Sequence, residues 1–349
     1  MFHKHGILKI ASMGLPFLLS LQCGNGDETR HVKSILNAKW SPGNNYISFL
    51  KQEYSYVWRS NSGCGTDIHT DEPAPPRGYD LYLMNPARTL EKKLAAGFLF
   101  PDDNYEWSPH GNEIVFARRL GPSYFRILGT IDTSGQMTGI DTAAAVFGFD
   151  WSPDASGIVY SAQQSYLDTV RLYIAPGTGA PPHLVSDSLP GNVSAVSWSI
   201  NNQIAFEVAK GSKVYLGTIG ADGSGYKILD TLDFTYPTID WSPDGNYLIY
   251  IDVEDTTLGA QIFLHDFNSD RKRQVTHYTS PTSFISIRFS PDGSKIGYST
   301  GGGLSVVQPD GSGRRQIAST SSPVEPSWSA DATRLVYADK DSVIILQVQ

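Results

Sequence analysis

The stretch IDWSPDGNYLIY (239–250) decides how this chain is read. A short strand ending in Trp241 runs into the turn Ser242-Pro243-Asp244-Gly245, and a second apolar strand follows. In such a turn Ser bonds its own backbone, Pro presets φ, Asp tolerates the third place and Gly accepts left-handed geometry, so two antiparallel strands are joined tightly. Six further copies occur: AKWSPGNNYISF (38–49), YEWSPHGNEIVF (105–116), FDWSPDASGIVY (149–160), VSWSINNQIAF (196–206), IRFSPDGSKIGY (287–298) and PSWSADATRLVY (326–337).

Successive anchors, Trp40, Trp107, Trp151, Trp198, Trp241, Phe289 and Trp328, are separated by 67, 44, 47, 43, 48 and 39 residues. Periods of roughly 40 to 45 residues are those of four-stranded propeller blades. In the second strand an aromatic (Phe49, Phe116, Tyr160, Phe206, Tyr250, Tyr298, Tyr337) stands two places after an aliphatic residue. A period of two puts both on one strand face, and the residue between them is often apolar as well. A strand apolar on both faces is sandwiched between neighbouring sheets, as in stacked blades. Third strands are expected at 79–85, 125–131, 170–175, 213–219, 261–267, 304–309 and 342–348. Only six fourth strands follow in order: KKLAA, MTGID, HLVSD, YKILD, RQVTH and RQIAS.

The expectation is therefore an all-β chain, a β-propeller of seven four-stranded blades, with HVKSIL (31–36) completing the last blade and closing the ring. Six blades plus a degenerate unit is the alternative. The anchors are expected in the core. With 33 Gly and 21 Pro, and no helical periodicity in any long segment, one domain of residues 31–349 fits better than two or three.

The WSPDG turn, the Ile-x-Tyr/Phe second strand and the Arg-x-Leu-Thr-like fourth strand resemble the TolB-like, WD-repeat-like propeller family. The resemblance covers about residues 31–349 and implies the fold while leaving function open. TolB carries a separate α/β domain ahead of its propeller, for which residues 23–40 leave no room. Membership of the Tol envelope system is thus not implied.

Residues 1–22 combine a basic start (Lys4, Lys9) with the apolar run IASMGLPFLLSL, too short and too interrupted by Pro16 to span a bilayer, and read as a signal peptide. Cys23 follows, with a polar tether through residue 30. This looks like a lipoprotein signal, with Cys23 lipidated as the sole membrane link. The protein would then be exported to the periplasm or cell surface, and Gly24 after the cysteine would by resemblance favour the outer membrane. The competing reading is ordinary cleavage with a Cys23–Cys64 disulfide. Formal charge is −8, and −10 without residues 1–22, so no basic stripe exists for nucleic acid. A monomeric domain is expected.

Loops joining second to third strands, and fourth strands to the next blade, open on one face, where function concentrates. The long first interval places an insertion there, about residues 51–78, carrying Tyr54, Tyr56, Trp58, Asp67, His69 and Arg77. It reads as a lid or recognition element, or as a loop packed over the first blade. Connectors add Phe100, Asp102, Asp103 and Tyr105, then Phe234 and Tyr236, then Phe284. Rigid aromatics beside carboxylates suit a protein or glycan partner. No GxSxG, HExxH, paired-cysteine zinc spacing or phosphate loop is present. The expectation is a non-catalytic envelope binding or scaffold protein, without catalytic residues, metal or cofactor. The alternative is a metal-dependent polysaccharide lyase or hydrolase at the channel mouth, since a ring can bring scattered histidines together.

Overall fold

The computed structural model describes residues 27–59, 78–99, 104–119, 125–185, 187, 189–233, 238–255, 257–320 and 324–348. The chain forms two compact units. One, residues 1–31 with 55–75, is described only at 27–31 and 55–59, both strand. The other, residues 32–54 with 76–349, holds seven antiparallel sheets.

The first blade is β1 (Asp27–Trp40), β2 (Ile47–Arg59), β3 (Tyr79–Met84) and β4 (Glu91–Leu99). The second is β5 (Asn104–Trp107), β6 (Glu113–Arg119), β7 (Arg126–Asp132) and β8 (Met137–Ala143), and the third β9 (Ala145–Trp151), β10 (Gly157–Gln163), β11 (Arg171–Pro176) and β12 (His183–Leu184). Then come β13 (Asn192–Trp198), β14 (Gln203–Lys210), β15 (Lys213–Gly220) and β16 (Lys227–Leu232), followed by β17 (Asp240–Trp241), β18 (Tyr247–Asp252), β19 (Gln261–Asp266) and β20 (Arg271–Gln274). The sixth blade is β21 (Phe284–Phe289), β22 (Ile296–Thr300), β23 (Gly303–Val307) and β24 (Arg315–Ala318), and the last β25 (Ser327–Trp328), β26 (Arg334–Asp339) and β27 (Ser342–Gln347). Every sheet is a meander in chain order.

The repeat turn works through its serine. The Oγ atoms of Ser41, Ser152, Ser242, Ser290 and Ser329 each accept the N–H five residues on, at 2.9 Å in every case. The turn aspartate accepts from that serine, as at Asp154 (2.7 Å) and Asp331 (2.6 Å). These bonds hold both carboxyls down at about 2. A turn role thus accounts for the aspartates without a cation. The left-handed position is Gly at Gly111, Gly245 and Gly293, whereas Ala155 and Ala332 adopt φ 56° and 55° there against their own preference.

Seven apolar layers lie between successive sheets. Val159, Leu172 and Phe206 join the third and fourth blades, for example, and Leu304, Trp328 and Tyr337 the sixth and seventh. The seventh layer joins last to first, bringing Val336 and Val343 against Ile35, Trp40, Phe49 and Met84. The structure is therefore a seven-bladed β-propeller closed into a ring. Each large apolar side chain buried in a layer contributes about 1.5–3 kcal/mol, which is what binds sheets that share no hydrogen-bonded edge. Trp40, Trp107, Trp151, Trp241, Trp328 and Phe289 are buried and Trp198 half-buried. Their indoles reach across the junctions: Trp151 Nε1 donates to the Glu106 carbonyl (3.4 Å), Trp241 to Ser197 (3.2 Å) and Trp328 to Arg288 (3.3 Å). Trp107 Nε1 meets Ser48 Oγ at 2.8 Å. At Gly297 a Cβ would come within 3.0 Å of the Trp328 indole, so only glycine lets that ring lie flat on the sixth blade.

Closure differs from the expectation in one respect. Residues 31–36 lie within β1, the first strand of the first sheet, and do not form the fourth strand of the last, which has three strands among the described residues. Their strand link to the last blade is the Ile35 N–H donating to the Lys340 carbonyl (2.8 Å). The reason is continuity: β1 runs from Asp27 straight into Trp40, so the same residues cannot also cross to a neighbouring sheet. Face-to-face packing closes the ring instead, with the Trp40 N–H on Ser327 Oγ (3.1 Å) and the Ala330 N–H on Asn44 Oδ1 (2.7 Å). A second difference concerns the insertion: residues 51–59 continue β2 as strand.

Candidate functional site

The residue just before each anchor points away from the blade layers, since neighbours on a strand face opposite sides. Those residues are Lys39, Glu106, Asp150, Ser197, Asp240, Arg288 and Ser327, one per blade. All seven line one cavity of about 300 Å³ at the ring axis, together with Asn104, Phe149, Ser286, Glu325 and others. Both signs of charge are thus brought together by residues up to 249 positions apart in sequence, Lys39 to Arg288.

Much of this polar ring is already committed to structure. Lys39 Nζ lies 2.8 Å from Glu106 Oε2 and 2.7 Å from the Tyr105 carbonyl. Asp150 Oδ2 accepts the Trp198 N–H of the next blade (2.8 Å), and Asp240 Oδ2 accepts the Phe289 N–H (2.7 Å). Arg288 carries the second cation, its Nη1 donating to the Ile287 carbonyl at 3.0 Å.

Enclosure by protein sets the titration of the ring. Burial, followed by the nearby Glu106 and Asp240 charges, pushes Asp150 up to about 7, against the Trp198 hydrogen bond and Arg288. Burial likewise pushes Asp240 up to about 6 although Arg288 and the Phe289 N–H oppose it. Burial acts on Glu106 too, but Lys39, Arg288 and hydrogen bonds outweigh it and hold that carboxyl low. Its side chain keeps 35% of its surface accessible, because the cavity side is open to water. Arg288 is held above its ordinary value: burial opposes, and Asp240, Glu106, Glu325 and Asp150 prevail. Two carboxyls titrating near neutrality in a cleft beside two cations have the makings of an acid and base.

On the face where second-to-third strand loops and inter-blade connectors open, Phe125 (38% exposed) and Tyr166 (54%) form an edge-on pair 5.6 Å apart, with Leu167 almost fully exposed. Phe147, at the start of β9, is 55% exposed.

The structure treats the sequence-predicted residues unequally. Tyr105 is fully buried, its hydroxyl on the Asn37 carbonyl and receiving the Ser48 hydroxyl at 3.2 Å, so it offers no surface to a ligand. Phe284 is buried between Tyr278 and Tyr298, with ring centroids 5.8 and 5.6 Å away. Tyr54 is half-buried in β2, and Tyr56 and Trp58 continue that strand. Asp67, His69, Arg77, Phe100, Asp102, Asp103, Phe234 and Tyr236 lie outside the described residues, as do Cys23 and Cys64. The axial ring was missed, although the position before each anchor showed it: five of seven carry a charge inside an apolar repeat. Among the described residues no three His, Cys, Asp or Glu side chains are grouped to hold a metal ion. His265 sits in β19 3.2 Å from Asp270, and no described histidine lines the axial cavity.

No protein-family model matches the chain, and a search of curated proteins finds no match. Solved structures do resemble it. An oligogalacturonate lyase in complex with manganese is 13% identical, with 91% of each chain covered and a TM-score of 0.66. TolB from Acinetobacter baumannii is 17% identical over 91% of this chain and 77% of that one, with a TM-score of 0.54. The β-propeller domain of the Trilobed protease from Pyrococcus furiosus, described as having an open velcro topology, is 9% identical, with 91% and 96% covered and a TM-score of 0.60. The chain shares their β-propeller fold. Identities this low carry the architecture and leave the chemistry to the site.

Proposed function

We propose that the protein is an exported, non-catalytic binding protein that holds a protein or glycan partner on the connector face of its propeller. The observation that carries this reading is the exposed cluster of Phe125, Tyr166 and Leu167 in the loops between second and third strands. Apolar rings left in water mark contact surfaces. Sugars stack on such rings and peptides bury them.

The test is titration of envelope glycan fragments and peptides, with partner capture from envelope extract. Wild-type protein should bind saturably and leave the ligand intact. Tyr166→Ser with Leu167→Ser, and separately Asn104→Trp to fill the cavity, should each weaken binding about tenfold, or about 1.4 kcal/mol. Unchanged affinity in both variants would remove the reading.

A second reading, a lyase or hydrolase acting on a sugar polymer, is favoured by the near-neutral carboxyls Asp150 and Asp240 beside Arg288. Asp150 or Asp240 would take or deliver the proton while Lys39 and Arg288 hold an acidic sugar. Product that accumulates with wild type, in the presence of divalent cations, and not with Asp150→Asn would establish it.

The exported location rests on residues 1–22 and Cys23, outside the described residues. Growth with a labelled lipid precursor should mark the wild type and leave Cys23→Ala unlabelled. An unlabelled wild type would favour the disulfide reading.

A further inference from the structure

Six blades end in a fourth strand, and at several junctions that strand covers the turn between third and fourth strands of the next blade. The turn glycines Gly135, Gly223 and Gly311 lie so close beneath the Leu94, Val185 and Val275 carbonyls that a Cβ there would come within 3.1, 2.4 and 2.9 Å. Lys92 donates to the Thr133 carbonyl (3.3 Å), and Lys227 pairs with Asp270 (2.8 Å), across such junctions. Some fourth strands also send an aliphatic residue into the layer beside them, as Leu94, Leu229 and Ile317 do.

Between the last blade and the first this pattern is broken. β27 pairs with β26 alone among the described residues. Asp339 stands opposite Ser342 across a two-residue turn, so the alternation of the antiparallel ladder turns the backbone groups of Val343, Ile345 and Gln347 outward. The equivalent turn of the first blade has no fourth strand over it among the described residues, and the Arg88 Nη2 reaches instead to the Val343 carbonyl at 2.9 Å. Beside that bond lies a cavity of about 190 Å³ with an apolar wall of Ile35, Phe49, Met84, Leu90 and Val343. Lys33 and Arg88 stand at its rim, and Lys51 there is already paired with Glu53 and Glu91 at 2.9 and 3.2 Å.

We infer that the free edge of β27 and the cavity beside it receive an extended segment of a partner protein, which adds as the fourth strand of the last blade. The Val343 N–H and the backbone groups of Ile345 and Gln347 provide the hydrogen bonds, the Val343 carbonyl being held by Arg88, so the occupant is a strand. Its chemistry follows from the fourth strands β4, β8 and β16: an aliphatic side chain for the cavity, polar residues outward, and a carboxylate within reach of Lys33 and Arg88. The site lies on the outer rim, away from the axial cavity, and stands independently of the proposed partner face.

The probe is a labelled peptide of residues 225–232 (GYKILDTL), which has the aliphatic pair and the acid, added to the full-length protein. It should bind saturably, and the Ile345 and Gln347 amides, exchanging freely beforehand, should become protected. A peptide N-methylated at alternate residues keeps its side chains and should bind at least about tenfold more weakly, since it cannot pair with an edge. Ile345→Pro, tolerated on an edge strand, should have the same effect, with circular dichroism confirming the fold. Equal binding of the methylated peptide, no binding at all, or amides protected before any peptide is added would each overturn the inference. In the last case, loss of protection on dilution would identify a second copy of the chain as the occupant, and persistence would identify the chain itself.

Discussion

Arg288→Met is expected to destabilise the protein by about 3 kcal/mol at pH 8 and by markedly less at pH 5. The guanidinium is the cation nearest to Asp240 in effect, and it also acts on Glu106, Glu325 and Asp150. Methionine fills much of the same volume, so the change isolates charge from packing. Without Arg288 the ring keeps one cation, Lys39, and that one is held by Glu106. Breaking a fully buried ion cluster by removing one partner costs about 3–5 kcal/mol, and the open side of the cavity lowers this toward the smaller figure. At pH 5 Asp150 and Asp240 hold their protons in the native state, so fewer negative charges are stranded. Urea denaturation at the two pH values measures the difference. Equal losses at both would show that Arg288 acts through its contacts and not through its charge.

The second large effect is the pH dependence of the wild type itself. In the unfolded chain both aspartates lose their protons near the ordinary value of about 4, whereas in the native ring they keep them to about 7 and about 6. Across that window the native state binds more protons than the unfolded state, so the contribution of these two groups to stability falls as pH rises from about 4 to about 7 and levels off above. The two groups together should account for a decline on the order of 3 kcal/mol, after allowance for water in the cavity. Asp150→Asn with Asp240→Asn keeps acceptors for the Trp198 and Phe289 N–H groups and removes the titration. That double variant should lessen the slope between pH 5 and pH 8, the remainder belonging to Glu207, which burial pushes up to about 8. A slope unchanged from the wild type would place the titrating groups elsewhere.

The blades were legible because each is specified locally. One dozen residues hold anchor, turn and second strand, and the same serine-to-N–H bond closes the turn wherever it occurs. Ring closure was not legible, because strand pairing between distant segments leaves no mark within either one. HVKSIL has the composition of a fourth strand, yet its position immediately ahead of Trp40 commits it to β1. The site was half legible. Aromatic residues in connectors have the composition of a contact surface, but Tyr105 and Phe284 fall on inward positions of β5 and β21 and pack inside. The charges before the anchors are each unremarkable alone. Their meaning arises only when seven distant strands converge.

The indoles that span the junctions make the ring its own optical gauge. Trp107, Trp151, Trp241 and Trp328 each hold a hydrogen-bond acceptor belonging to the preceding sheet, so parting any such pair of neighbours alters the surroundings of one chromophore. Emission from chains in which single tryptophans are replaced by phenylalanine can therefore tell where the circle first loosens.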